Sequence, residues 1–312
     1  GNEYVHRLRR FGSRRFYLRE LLVLAKTSVS SYNNLITYVQ GLSALGLDRH
    51  PGGVFTKIGI FDSGIGGLSV LHQAVQLLRN QEFIYYADEA HVPYGCRSAG
   101  EILSFTRHAV EFMLSRGADA IVIACNTATS AAAAVLRREF DVPIIGMEPA
   151  VREAMRFCRG KRILVSATPV TLKGEKFSEL IRLIDYNNLT DPVSLGGLVP
   201  FAEREEFTSD AVGSYIKGQL SLFPLQDYGA LVLGCTHFNY FKDSLRAILG
   251  DGIHIIDGNA GTVRQLMRLL SLEACTADNA KTEFYFSDVP VSGSDLARID
   301  RYMARLDKMQ NI

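Results

Sequence analysis

From Lys57 onward, short apolar runs alternate with amphipathic helical patterns. The apolar runs are KIGIF, FIYYA, AIVIA, PIIGM, RILVS, ALVLG and IHIID. Helical patterns such as LSVLHQAVQLLR, ATSAAAAVLRREF and FNYFKDSLRAILG lie between them. Strands that are apolar on both faces and alternate with helices are typical of a parallel sheet covered by helices. The sequence therefore predicts an α/β fold with mostly parallel sheets.

A pair of cysteines marks an internal repeat. Cys125 ends the run IVIAC, and Cys235 ends the run LVLGC 110 positions later. Ser63 and Ser166 stand at the ends of two other runs with a similar offset of 103 positions. These offsets predict two similar α/β halves related by a pseudo-twofold axis. Because ligands bind at the carboxyl ends of parallel strands, we expect the active site in the cleft between the halves.

Polar side chains accompany each of these two thiols. Asn126 and Thr127 follow the first cysteine, and Thr236 and His237 follow the second. We expect a thiol at a helix N-terminus to form a thiolate readily, because the helix dipole and the free N–H groups stabilise the negative charge. A buried cysteine that only packs is the alternative. We give that packing interpretation to the remaining cysteines, Cys96, Cys158 and Cys275.

Two thiols in one cleft favour a two-base racemase over other reactions. One thiolate would remove the α-proton of an amino acid while the other thiol returns a proton to the opposite face. The reference pKa of a thiol, about 8.5, can be brought near the working pH in such a site. His237 could assist the neighbouring thiol, and Asp62 could orient an ammonium group or control the protonation of a thiol. Asp88 and Glu203 are further carboxylate candidates.

The glycine-rich stretch DSGIGG has two interpretations. Glycine-rich turns between a strand and a helix bind phosphate through backbone N–H groups. This stretch lacks the GxGxxG order, and no GxxxxGK[ST] motif follows it. A tight turn that uses the backbone freedom of glycine is the alternative. Its N–H groups would suit a carboxylate as well as a phosphate.

Composition and charge argue against several classes of protein. Over 312 residues the net charge is +1, which gives no electrostatic basis for nucleic acid or an anionic membrane as the main partner. No apolar run reaches the ~20 residues of a membrane-spanning helix. Five cysteines without CxxC spacing indicate neither a disulfide framework nor a zinc site. We therefore expect a cytoplasmic protein without a metal site.

The first 56 residues differ in charge from the remainder. They hold eight lysines and arginines against three acidic residues, a net charge of +5, whereas the remainder has 26 basic and 30 acidic residues, a net charge of −4. The stretch RHPGG is typical of a linker. We predict that residues 1–56 form a basic extension, helical or partly disordered. A first α/β domain would span residues 57–148 and 258–312, and a second would span residues 149–257.

An ordered set of motifs resembles the glutamate racemases of the aspartate/glutamate racemase superfamily. The set comprises IGIFDSGIGGLSVL, YYADEAHVPYGCRS, IVIACNTATSAA, GMEPA, SATPVTLK, LVPFAE and LVLGCTHF. The resemblance covers residues 57–312 and implies two α/β domains with the active site between them. It also implies a homodimer that interconverts L- and D-glutamate without a cofactor and supplies D-glutamate for peptidoglycan.

The resemblance implies roles for individual residues. Cys125 would exchange the proton of the D-enantiomer and Cys235 that of the L-enantiomer, and Asp62 and His237 would assist them. The implied substrate contacts are Asp62, Ser63, Tyr94, Gly95, Asn126, Thr127, Thr168, Thr171, Thr236 and His237. No motif of the resemblance falls in residues 1–56, although some members carry N-terminal extensions linked to control by a cell-wall precursor.

Other functions stay open on the sequence alone. A racemase for aspartate or another amino acid would use the same two thiols. A regulatory or binding protein on the same fold is the alternative of another class, although the presence of both cysteines favours an enzyme. A thiol redox enzyme would need a resolving cysteine at short spacing, and none follows either thiol.

Overall fold

The computed structural model describes residues 56–312 except residues 148, 159, 186, 187 and 276–279. The described residues belong to one compact unit that begins at Phe55. Apart from Thr56, the predicted basic extension over residues 1–56 lies outside the described part of the chain.

The described residues form ten strands. In chain order they are β1 (Lys57–Asp62), β2 (Glu82–Ala87), β3 (Ala120–Ile123), β4 (Ile144–Gly146), β5 (Arg162–Ala167), β6 (Thr190–Ser194), β7 (Tyr228–Leu233), β8 (His254–Asp257), β9 (Lys281–Phe286) and β10 (Val289–Pro290).

The same residues form the following α-helices. They are α1 (Leu68–Leu77), α2 (Ala99–Ser115), α3 (Asn126–Glu139), α4 (Val151–Phe157), α5 (Pro169–Lys173), α6 (Glu175–Ile184), α7 (Leu198–Glu203), α8 (Asp210–Leu220), α9 (Lys242–Leu249), α10 (Asn259–Leu270) and α11 (Ser294–Met309). Short 3₁₀ helices cover Ile65–Gly67, Tyr94–Cys96, Leu225–Asp227 and Thr236–Phe241.

Two sheets repeat one strand order. The first sheet has the order β10-β9-β2-β1-β3-β4, and the second has the order β6-β5-β7-β8. The series β2-β1-β3-β4 and β6-β5-β7-β8 therefore correspond strand for strand, and all of these pairs are parallel. This repetition confirms the predicted α/β fold with two similar halves. The residue boundaries that we assigned to two domains stay a prediction.

The burial of the strands explains why the sheets are parallel and covered by helices. All six residues of β7 are buried, as are five of the six in β1. Such strands can only lie at the centre of a sheet with helices packed on both faces. Within the described residues, no helix combines the length and the apolar character needed to cross a membrane.

Equivalent strands bring polar residues to the same edge of each sheet. Asp62 ends β1, and Thr168 follows the equivalent strand β5. Cys125 follows β3, and Cys235 follows the equivalent strand β7. The repeated topology thus places one cysteine at the carboxyl edge of each sheet, where α/β folds bind their ligands.

Candidate active site

A cavity of about 310 Å³ lies at these carboxyl edges. Most of the predicted site residues line it: Ser63, Tyr94, Gly95, Cys125, Asn126, Thr127, Thr168, Cys235, Thr236 and His237. The other predicted residues, Asp62, Asp88, Thr171 and Glu203, lie behind this layer, and each one hydrogen-bonds to a lining side chain. Side chains predicted from separate motifs are therefore brought into one site with two layers.

The Cys125 thiol is held at the N-terminus of α3. Its Sγ accepts a hydrogen bond from the backbone N–H of Ala128 at 3.4 Å and donates one to Ser63 Oγ at 3.7 Å. Burial nevertheless raises the pKa of Cys125 far above its ordinary value, and the negative charge of Asp62 raises it further. The N–H of Ala128 at the helix N-terminus lowers the pKa of Cys125, as expected, but it does not decide the outcome. The desolvation of the buried sulfur outweighs the N–H contact.

The Cys235 thiol has different surroundings. Its Sγ lies 3.8 Å from His237 Nδ1. The sequence predicted an α-helix from Phe238, but residues Thr236–Phe241 form a 3₁₀ helix, and α9 begins only at Lys242. The tighter 3₁₀ turn has three residues per turn. It follows Cys235 directly, so the histidine two positions on lies beside the sulfur.

His237 connects this thiol to a buried carboxylate. Its Nε2 lies 2.7 Å from Glu203 Oε1, and the histidine side chain is only 2% exposed. Burial acts to lower the pKa of His237, but its hydrogen bonds with Cys235 and Glu203 raise that pKa well above the ordinary value. Burial likewise acts to raise the pKa of Glu203, but the hydrogen bond from His237 holds it below the ordinary value. The cationic form of His237 is therefore favoured between the Glu203 carboxylate and the Cys235 sulfur.

The two thiols therefore differ in their electrostatic surroundings. Cys125 is held as a neutral thiol, which can donate a proton. Cys235 lies beside His237, whose raised pKa favours a cationic imidazole that can exchange a proton with the sulfur. One acid and one base in a single cavity are what a proton exchange at a carbon atom requires.

Asp62 is fully buried at the end of β1. Its Oδ2 accepts a hydrogen bond from Thr236 Oγ1 at 3.1 Å, whereas its Oδ1 has no hydrogen-bond partner among the described residues. Burial raises the pKa of Asp62, and the positive charge of His237 opposes that rise. Because its charge acts on Cys125 and on His237, Asp62 couples the two halves of the site electrostatically.

The glycine-rich stretch does not use the backbone freedom that the tight-turn interpretation predicted, and its binding of an anion stays a prediction. A Cβ atom at Gly66 would overlap His237 Nδ1, and one at Gly64 would overlap Glu203 Oε1. The backbone φ of Gly64 is −162°, an extended value that any residue adopts. The glycines are required by the close approach of this loop to the Glu203–His237 pair. Sequence reasoning lacked that reason because Glu203 lies far along the chain.

Three threonines join the halves on the other side of the cavity. Thr127 Oγ1 lies 3.0 Å from Thr168 Oγ1 and 3.1 Å from Thr171 Oγ1, and the last two oxygens are 3.0 Å apart. Thr168 also caps α5 by accepting a hydrogen bond from the Thr171 N–H. Beside them, the buried Asn126 Oδ1 has no hydrogen-bond partner among the described residues. These hydroxyl and amide groups can bind a carboxylate and an ammonium group.

Asp88 does not line the cavity but hydrogen-bonds to a residue of its wall. Its Oδ2 accepts a hydrogen bond from Tyr94 OH at 2.6 Å, and its Oδ1 accepts one from Ser287 Oγ at 3.1 Å. His91 Nδ1 lies 2.8 Å from the same Oδ1. Asp88 thus fixes the turn that presents Tyr94 and Gly95 to the cavity.

Sequence reasoning missed part of the cavity wall. The lining residues that were not predicted are Pro93, Cys96, Pro169, Ser194, Gly196, Gly197, Val199 and Pro200. Pro93, Gly196 and Gly197 lie in loops, and the others lie at or near the ends of short elements. Most of the eight are glycine, proline or apolar residues without side chains that bear chemistry, so no sequence signal distinguished them. The motif LVPFAE was a partial signal, since it contains both Val199–Pro200 and Glu203.

Comparisons with known proteins agree with this geometry. Residues 58–266 match the family model described as Asp/Glu/Hydantoin racemase. A glutamate racemase from Campylobacter curvus is 53% identical over 264 residues, which cover 82% of this chain and 99% of the relative. The crystal structure of glutamate racemase from Campylobacter jejuni superposes with a TM-score of 0.68 at 30% identity, covering 80% of this chain and 98% of that one.

A second solved structure carries ligands. Escherichia coli glutamate racemase, in complex with L-glutamate and the activator UDP-MurNAc-ala, has a TM-score of 0.69 at 27% identity and covers 81% of this chain and 96% of that one. The extent of these matches and the two-thiol cavity lead to the same conclusion. This chain belongs to the Asp/Glu/Hydantoin racemase family.

Proposed function

We propose that this chain interconverts L- and D-glutamate by exchanging the α-proton between two thiols, without a cofactor. The observation that carries the proposal is one cavity lined by both Cys125 and Cys235, with a neutral thiol favoured at Cys125 and a cationic histidine beside Cys235. The relatives named glutamate racemase support glutamate as the substrate.

The reaction begins at the thiol that is poised as a base. The Cys235 thiolate removes the α-proton of one enantiomer, and the electron pair of the broken C–H bond passes into the carboxylate-stabilised carbanion. The Cys125 thiol then gives its proton to the opposite face of that carbon, so configuration is inverted and no atom is lost. In the reverse direction Cys125, as the thiolate formed in this step, is the base and Cys235 is the acid.

The α-carbanion needs stabilisation because the α-proton of an amino acid is weakly acidic. Hydrogen-bond donors aimed at developing negative charge supply such stabilisation. The hydroxyls of Thr127, Thr168 and Thr236 line the cavity and can donate to the substrate carboxylate. The acceptor Asn126 Oδ1, which is buried without a partner among the described residues, suits the substrate ammonium.

The test is the loss of circular dichroism from L-glutamate and, in parallel, from L-aspartate, with no cofactor added. We expect rapid loss of the glutamate signal to a racemic end point, accompanied in deuterium oxide by uptake of one deuterium at the α-carbon. A faster reaction with aspartate would assign the alternative substrate. Racemisation that required added pyridoxal phosphate would contradict the two-thiol proposal.

The biological setting is part of the same proposal. We infer a cytoplasmic homodimer that supplies D-glutamate for peptidoglycan, since this is what the family resemblance implies. Sedimentation of the purified chain tests the dimer. Rescue of a bacterium that depends on added D-glutamate tests the supply role.

A second cavity supports control by an anionic effector. It has a volume of about 670 Å³ and is lined by parts of β4, α4 and α10, the segments where the chain passes between the two sheets. The charged residues that line it are four arginines, Arg137, Arg152, Arg156 and Arg264, and one glutamate, Glu153. Arginine binds phosphate oxygens in a bidentate manner. We propose this cavity as the binding place of a diphosphate-bearing cell-wall precursor.

The probe for this effector is UDP-MurNAc-ala, with which the Escherichia coli racemase was solved. We expect it to change the racemisation rate of the unaltered chain and to lose that effect in Arg156→Met. Arg138→Met, which removes an exposed arginine outside the cavity, is the matched control. An equal response of all three proteins would place the effector elsewhere.

A further inference from the structure

We propose that Arg298 is a positioning residue for the Cys235 thiol, acting through Glu203 and His237. The proposal rests on the two-thiol function, and it adds a residue from α11 that no sequence motif indicated. Arg298 touches neither thiol, so its effect must pass through the carboxylate that it binds.

Arg298 lies between two carboxylates. Its Nη2 donates to Glu203 Oε2 at 3.0 Å and to the Glu203 carbonyl oxygen at 3.3 Å. Its Nη1 donates to both carboxylate oxygens of Glu89 at 3.3 Å. The three side chains are only 16–23% exposed, so these contacts are partly shielded from water. The guanidinium thus fixes Glu203 from the side that faces away from the cavity.

The two oxygens of Glu203 have separate tasks. Oε1 receives His237 Nε2 at 2.7 Å and the backbone N–H of Ile65 at 3.3 Å. Oε2 receives Arg298, as described above. Both oxygens are needed to set the plane of the carboxylate, and that plane sets the orientation of the imidazole. If Arg298 were removed, the carboxylate would be free to turn about its last bond, and His237 would lose its fixed direction toward Cys235.

The charges give a second reason. Burial raises the pKa of Glu89, the charge of Glu203 raises it further, and Arg298 opposes both effects. The same arginine helps to hold the pKa of Glu203 down. Without the guanidinium, two partly buried carboxylates would face each other, and a proton shared between them would be favoured. A protonated Glu203 no longer stabilises the imidazolium beside Cys235.

The effect is expected at one thiol and not at the other. Cys125 hydrogen-bonds to Ser63 and to the Ala128 N–H, whereas the hydrogen bonds of Glu203 and Arg298 go to Ile65, His237, Glu89 and each other. The loop that carries Ser63 keeps two other anchors, since Tyr85 OH donates to the Gly64 carbonyl at 2.7 Å and Tyr240 OH donates to the Ile65 carbonyl at 2.8 Å.

The arrangement also links the two halves of the fold. Glu203 ends α7, which lies between the second-sheet strands β6 and β7. Glu89 follows β2 of the first sheet, and Arg298 lies on α11, which follows the first-sheet strands β9 and β10. The arginine therefore connects elements that follow the first sheet to the histidine–thiol pair of the second.

The experiment uses a reaction that needs only one base. In a glutamate with chloride on its β-carbon, removal of the α-proton by a thiolate sends the C–H electron pair into a new C=C bond, and chloride leaves with its own pair. The enamine product tautomerises to an imine, and water hydrolyses the imine to 2-oxoglutarate and ammonium. The rate is measured for each α-configuration, and Cys125→Ser and Cys235→Ser identify the configuration that depends on each thiol.

Arg298→Met should slow elimination at least tenfold for the configuration that depends on Cys235, because a small misplacement near a reacting group costs up to ~10²-fold in rate. It should leave the other configuration within about twofold of the unaltered protein. Arg301→Met is the matched control, since Arg301 lies one turn along α11 and pairs with Glu205 at 2.6 Å, away from His237. We expect this control to leave both rates unchanged.

Arg298→Lys keeps the positive charge but loses the planar guanidinium that binds Glu203 and Glu89 together. It should therefore reduce the elimination rate less than Arg298→Met, and only for the same configuration. This variant also carries the test if Arg298→Met does not fold. Equal losses for both configurations would show a general structural role and overturn the proposal, as would unchanged rates. The proposed function has a separate test. If Cys125→Ser and Cys235→Ser, each made in the protein that keeps Arg298, both eliminate chloride at the normal rate, the two-thiol function is wrong.

Discussion

At the scale of single residues, the two thiols are matched in position but not in environment. Burial raises the pKa of Cys125 and the charge of Asp62 raises it further, although the hydrogen bond to Ser63 lowers it, whereas Cys235 lies beside a cationic histidine. A symmetrical pair of thiolates would repel each other and would lack an acid. The asymmetry provides one donor and one acceptor before substrate arrives, and the roles exchange with each turnover.

Each thiol should be indispensable for racemisation. Cys125→Ser and Cys235→Ser should each lower kcat for glutamate by about 10²–10⁴-fold, the usual contribution of a general acid or base. Each variant should keep one-base elimination for a single, opposite configuration. The measurement is circular dichroism at a fixed substrate concentration. Near-normal racemisation by Cys125→Ser would show that the two-base assignment is wrong.

The pH dependence of the Cys235 half-reaction should report on His237. Because the folded-state pKa of His237 is raised above ~6.5, its cationic form persists at neutral pH and is lost only as the pH rises through the raised value. In Glu203→Gln the stabilising charge is gone, so the loss of rate should begin at a lower pH. The measurement is kcat/KM against pH in both proteins. If kcat/KM fell at the same alkaline pH in both proteins, Glu203 would not control the pKa of His237.

At the scale of secondary-structure elements, the glycine loop, the 3₁₀ helix and α7 form one packed unit. The loop that follows β1 approaches His237 and Glu203 so closely that a methyl group at Gly66 finds no room. Gly66→Ala should therefore displace the imidazole and lower the rate of the Cys235 half-reaction by tenfold or more, within the ~10²-fold cost of a small misplacement. Gly100→Ala is the control, because a Cβ at Gly100 meets no atom within 4 Å. Full activity of Gly66→Ala would show that the contacts among Cys235, His237 and Glu203 tolerate a shift of the imidazole.

The elements also show where sequence reasoning succeeds and where it fails. Central strands such as β1, β3 and β7 were predicted because burial on both faces leaves a continuous apolar run. The strand β6 was missed because Asp191 and Pro192 interrupt it, which is tolerated at the edge of the second sheet. The strand β9 was missed because only Tyr285 of its six residues is buried, so the strand has no continuous apolar run.

Within the site, local sequence revealed what adjoins the cysteines and little else. Asn126, Thr127, Thr236 and His237 were found because each follows a strand-end thiol. The Glu203–His237 contact joins residues 34 positions apart, and the Arg298–Glu203 contact joins residues 95 positions apart. Such pairs are set by the packing of whole helices against the sheets, which no short stretch of sequence records.

At the scale of the whole molecule, the repeated strand order explains why the chemistry needs two halves. Each half contributes one thiol at the carboxyl edge of its sheet, and neither half alone has both an acid and a base. Contacts such as Thr127–Thr168 and Arg298–Glu203 join the halves on different sides of the cavity. The relative position of the halves therefore controls the position of the thiols. A ligand in the arginine-lined cavity would act on that relative position.

A shortened protein that begins at Phe55 tests whether the residues before it are needed for folding and racemisation. The unit that starts there includes both sheets and every residue of the two-thiol cavity. The removed residues carry the whole net charge of +5 of the first 56, but exposed charges are screened beyond ~8 Å at physiological ionic strength. We therefore expect the shortened protein to fold and to racemise glutamate within about twofold of the full chain. Thermal midpoint and rate, each with and without UDP-MurNAc-ala, are compared for the two proteins. Loss of folding would place the extension within the core, whereas loss of the effector response alone would give it a regulatory role.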